Sequence, residues 1–150
     1  MQSTQNLVTR PVALPEGVSR TLRDAASYLA RYGWIQGCYY DQSATVFTPA
    51  ACWVGALGMV CYGGPVDAPA VNYEDPGYGD FVAAQQFLQK YLKATRGDEG
   101  LYSFNDVRGR TREEIIAVLN EAADQWERSR SLLRHGPFVS AVTSSLGGAA

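Results

Sequence analysis

Residues 50–64, "AACWVGALGMVCYGG", decide the fold. Thr48 and Pro49 ahead of them supply a cap and a first helical position, and the stretch then carries apolar residues on every side. A helix without a polar face belongs at the centre of a domain, so this second predicted helix is the element around which the others pack. Gly55 and Gly58 weaken it by roughly 1 kcal/mol each relative to alanine. Close approach of a neighbouring helix is the expected reason for keeping them.

Upstream, "SRTLRDAASYLARYG" (19–33) places Val18, Leu22, Ala25 and Leu29 on one helical face, with Ser19 as N-cap and Gly33 as stop. Between these helices, "WIQGCYYDQSATVF" (34–47) is rich in aromatic and β-branched residues and reads as a small hairpin, Ile35–Tyr40 with Ala44–Phe47. Downstream, "FVAAQQFLQKYLKATRG" (81–97) turns Phe81, Ala84, Leu88, Tyr91 and Leu92 inward, with Asp80 as its cap and Gly97 as its end. A fourth helix, "REEIIAVLNEAADQWERSRSLLRH" (112–135), aligns Ile115, Val118, Leu119, Ala122 and Trp126. Its acids come early and its arginines late, which suits the helix dipole. The expectation is therefore a mainly α, compact single domain of about four helices with one small β-hairpin between the first two. It spans residues 18–135, between an extended arm (1–17) and a flexible tail (136–150).

Composition narrows the function classes. The 150 residues are 46% hydrophobic and 19% charged, a globular balance with a net charge of −2. The charge is unevenly spread: no Lys or Arg occurs between Arg31 and Lys90, while Asp41, Asp67, Glu74, Asp75 and Asp80 all do. A cation-free middle argues against a nucleic-acid surface there, because phosphate binding needs clustered cations. No apolar run approaches the ~20 residues of a membrane helix, and the N-terminus lacks the apolar core of a signal peptide. Cys38, Cys52 and Cys61 fit neither paired CxxC nor zinc-finger spacing and suit a reducing cytoplasm, with no metal or other cofactor expected.

Three groups of residues are candidates for chemistry. Cys52 at a helix start feels a positive dipole end, as the nucleophile of a thiol-dependent hydrolase or transferase does, with His135 as the one histidine available for a base. A small apolar filler in a buried helix is the plainer reading of the same thiol. The aromatics Trp34, Tyr39, Tyr40, Tyr62, Tyr73 and Tyr78, with Glu74 and Asp75, form an acidic tyrosine-rich region suited to a protein partner. Packing of the rings against the core is the alternative. Loop 62–79, "YGGPVDAPAVNYEDPGYG", is long for a compact domain.

The third group lies in "FNDVRGRT" (104–111). Thr111 with Glu114 makes a T-x-x-E capping box, and Gly109 permits the turn that feeds it. Asn105, Asp106 and Arg110 are either turn residues or the grip on a small polar ligand, and Asp106 is a natural ion-pair partner for Arg110.

Three stretches, "LRDAASYLARYGWIQG" (22–37), "CWVGAL" (52–57) and "FNDVRGRTREEIIAVLNEAA" (104–123), together resemble a family of small uncharacterised proteins common in actinobacteria and their bacteriophages. In that family the octet usually reads Trp-Asn-Asp, a short turn, then Gly-Arg-Thr before an acidic helix start; here Phe104 stands in place of the Trp. The C-x-x-G-A-L pattern falls on Cys52, Gly55, Ala56 and Leu57. Loop 62–79 matches nothing in it. The resemblance implies fold and origin but no established activity, and no histidine corresponding to His135. The leading expectation is a non-enzymatic binding or regulatory domain acting on a protein partner through residues 32–89.

Overall fold

The structure, a computed structural model, describes residues 15–97 and 100–135, without the side chains of residues 15, 16, 134 and 135. The first fourteen residues of the expected arm and the whole expected tail lie outside the described residues. Among the described residues there are five α-helices: α1 (Pro15–Tyr32), α2 (Trp53–Tyr62), α3 (Tyr78–Arg96), α4 (Leu101–Asp106) and α5 (Arg112–His135), with a short 3-10 turn at Pro69–Val71.

The chain's apolar centre is α2, buried from Trp53 to Met59. Its neighbours present the stripes read from their periodicity: Leu22, Ala25 and Leu29 from α1, Phe81, Ala84, Leu88 and Leu92 from α3, and Ile115, Val118, Leu119 and Ala122 from α5. Tyr91 sits at the edge of the core, half-buried. The longest pairing runs between α1 and α5. At its rim Arg23 donates to Asp124 at 2.7 Å and to Glu127 at 3.1 Å.

Three helix starts differ from expectation. The first helix begins at Pro15, not Ser19, so Ser19 is a buried interior residue and the last three positions of the expected arm are helical. The second begins at Trp53 rather than after Thr48: Pro49 to Ala51 are extended, and Cys52 is the N-cap, its Sγ accepting from Gly55 N at 3.3 Å. The third starts at Tyr78, leaving Asp80 in its first turn.

No hairpin forms in residues 34–47. Ala51 is flanked on both sides by single bridges, parallel to Trp34 and antiparallel to Tyr40. The extended segment before α2 satisfies the backbone groups that a second hairpin strand would have needed: Ile35 N donates to Ala51 O, Asp41 N to Ala50 O, and Cys52 N to Tyr39 O. Residues 33–52 thus wrap around the start of α2 as a loop.

That wrapping explains the glycines of α2, and the approaching group is not a helix. A Cβ on Gly55 would overlap the carbonyl oxygen of Tyr39, and one on Gly58 would press on the Tyr40 hydroxyl and on Pro69. The loop lies directly on the helix backbone.

Candidate functional site

The start of α2 and the end of α4 meet, and the meeting point is built around one amide. Asn105 is 1% exposed. Its Oδ1 accepts from Trp34 Nε1 at 2.8 Å and from Trp53 N at 3.2 Å; its Nδ2 donates to Ile35 O at 3.1 Å and to Asp106 Oδ1 at 2.8 Å. Trp53 N is one of the amide groups that a helix start leaves without an intrahelical partner. Asn105 and Cys52 therefore cap α2 together, each satisfying one such donor.

The remainder of the octet reinforces this junction. Phe104 stacks on Trp53 with ring centroids 5.1 Å apart, and the Arg110 guanidinium lies 3.6 Å from the centre of the Phe104 ring. Arg110 also donates from Nε to Phe104 O at 2.9 Å and from Nη1 to Glu114 at 3.1 Å. Among the described residues it forms an ion pair with Glu114 and none with Asp106. Thr111 Oγ1 accepts from Glu114 N at 3.2 Å as the expected cap, but the Glu114 carboxylate points to Arg110, so half of the capping box is replaced by a salt bridge. Gly109 takes the positive φ of 86° that the turn requires.

Beside this junction opens a cavity of about 200 Å³. Gly37, Cys38 and Tyr39 from the loop form one wall, Tyr102 and Asp106 from α4 the other, and Cys52 and Asn105 are its most deeply buried members. The Tyr39 and Tyr102 hydroxyls are 3.0 Å apart, with their rings edge to face at 70°. Asp106 Oδ1 accepts from Gly37 N at 3.0 Å as well as from Asn105, leaving Oδ2 without a partner among the described residues. No Lys, Arg or His lines the cavity.

A family model matches residues 13–125, a span that contains both the C-x-x-G-A-L and the Asn-Asp…Gly-Arg-Thr stretches. The chain belongs to DUF6197, a family of unknown function. No curated protein and no solved structure matches it. In this DUF6197 chain the two stretches interlock as a structural clasp, with Cys52, Asn105 and Arg110 each engaged in holding α2, α4 and α5 together.

The sequence candidates divide accordingly. Burial pushes the Cys52 thiol up to about 11, because desolvation outweighs the Gly55 and Val54 amides at the helix start. His135 ends the 24-residue α5, roughly 35 Å along the axis from the end beside Phe104; its side chain lies outside the described residues.

Among the aromatics, Trp34 is half-buried on Asn105, Tyr40 and Tyr62 pack against the core, and Tyr62 donates to Pro69 O at 2.7 Å. Tyr78 begins α3 and donates to Ala70 O at 3.4 Å, while Asp75 accepts from Gly77 N in a turn. Tyr73, 67% exposed, and Glu74 face outward. Loop 62–79 is thus held in place by tyrosine hydroxyls on backbone carbonyls. Tyr102 was missed as a candidate, and its signal was the 102–105–106 spacing of a helical face, hidden because α4 itself was read as a turn.

No group of three or more His, Cys, Asp or Glu suited to a metal ion occurs among the described residues. Nor is any described helix long and apolar enough to cross a membrane.

Proposed function

We propose that residues 18–135 act in the cytoplasm as a non-enzymatic binding or regulatory domain, of actinobacterial or phage origin, that engages a protein partner through its acidic aromatic side. The observation that carries this reading is the exposure of Val46, Phe47, Val71 and Tyr73 (61%, 69%, 51% and 67%) within the stretch that holds no Lys or Arg. Phe47 rests against Gly64, so the tip of the 33–52 loop and the start of loop 62–79 are neighbours. Asp67 and Glu74 are exposed on the second of these segments. Large apolar side chains held outward among acids suit a partner with an apolar centre and a basic rim. The assignment to a phage or actinobacterial setting rests on the motif resemblance, and the cytoplasmic one on three free thiols.

The test is affinity capture from an actinobacterial lysate with the native chain and a Phe47→Ser/Tyr73→Ser/Glu74→Gln variant. A specific protein retained by the native chain and lost by the variant, with identical circular dichroism, is expected. Equal retention by both would overturn the reading. The site lends the thiol-hydrolase alternative less support, since the helix-start position of Cys52 serves as a cap and burial pushes its thiol up to about 11.

A further inference from the structure

The cavity between the 33–52 loop and α4 plays no part in that protein-binding reading, and its chemistry is one-sided. Its one charged lining group is the Asp106 carboxylate. Gly37 N and Asn105 Nδ2 anchor Oδ1, which fixes the direction of the unpartnered Oδ2. No ion pair reaches Asp106 from any described residue. Tyr102 stands one turn before it on the same α4 wall and Tyr39 on the opposite wall, their rings 6.1 Å apart at the centroids and their paired hydroxyls adding further acceptor lone pairs.

We propose that this cavity receives an organic ammonium group, the head of a small alkylamine or of a lysine side chain. A primary ammonium carries three donors and one positive charge, matching a carboxylate oxygen and the hydroxyl oxygens. Its attached methylenes meet the aromatic surface of Tyr39 and Tyr102, which also attracts a cation. An anionic ligand meets the carboxylate with no counter-charge, and a neutral apolar one offers Oδ2 no donor. The volume of about 200 Å³ lies below that of drug-sized pockets and suits a head group.

The experiment titrates n-butylammonium chloride into the ¹⁵N-labelled chain and follows the Gly37 and Asp106 amides by NMR, with n-butanol at equal concentration as the uncharged control. Saturable shifts in the millimolar range with the amine and none with the alcohol are expected, given the few atoms available for contact. Asp106→Asn keeps the Oδ1 acceptor but removes the charge, and is expected to weaken binding at least tenfold. Tyr102 is 46% exposed, so Tyr102→Ala leaves the core intact and serves as the second variant, with a loss of about fivefold or more expected. A parallel titration with a lysine-containing tripeptide separates the two sources: tighter binding than the free amine assigns the site to a protein side chain, and weaker binding to a small amine. Equal responses to amine and alcohol, or undiminished binding by both variants, overturn the proposal. Because Phe47 and Tyr73 are untouched by these variants, failure here leaves the partner-binding test standing on its own.

Discussion

Asn105 shows how one side chain can join three segments. Its four hydrogen bonds hold the loop through Trp34 and Ile35, the start of α2 through Trp53 N, and Asp106 beside the cavity. Asn105→Ala leaves an indole N–H, a helix-start amide and a carbonyl without their partner at a part-buried junction, each deficit being worth ~1–3 kcal/mol. A loss of about 3 kcal/mol in urea unfolding is expected, a large share of the ~5–15 kcal/mol typical of a domain. The sequence offered Asn105 as a turn residue or a ligand contact, and both readings were too local. What an amide satisfies inside a fold depends on segments about fifty and seventy residues away along the chain.

At the scale of elements, α2 illustrates close approach by a loop. Gly55→Ala gains ~1 kcal/mol of helix propensity, but the new methyl overlaps the Tyr39 carbonyl, which Cys52 N needs as an acceptor. Overpacking against backbone is expected to dominate, giving a net loss of about 2 kcal/mol in thermal or urea unfolding. Gly79→Ala is the contrasting case: it lies in the first turn of α3 with nothing within 4 Å of the added carbon. There the same substitution is expected to stabilise by about 0.5 kcal/mol. The loop at 34–47 was misread as a hairpin for a related reason. β-Rich composition predicts extended backbone, yet pairing partners are chosen by what lies alongside, and here that was the segment leading into α2.

Across the whole molecule, burial suppresses the deprotonation of several thiols and phenols in and around the core. The Cys52 thiol is pushed up to about 11 and that of Cys61 to about 12, from an ordinary 9, and the phenols of Tyr28 and Tyr40 to about 12 from 10. In the unfolded chain these groups release their protons at lower pH, so alkali favours unfolding. Their stabilising contribution is complete below about pH 9 and is lost as pH rises through the folded values of about 11 to 12. Urea midpoints measured from pH 7 to 11 are expected to hold level and then fall from about pH 9 upward. By itself the sequence determined the helical class, the inward stripes of α1, α3 and α5, the buried character of α2 and the glycines that end α1 and α3, since periodicity, composition and positive φ are local properties. Tertiary structure alone decided that residues 34–47 are a loop laid on α2, that Cys52 is a cap, that Arg110 belongs to Phe104 and Glu114, and that Tyr39, Tyr102 and Asp106 enclose a cavity. Each of these depends on which distant donor, acceptor or ring the packed helices bring within reach, and no spacing along the chain records that.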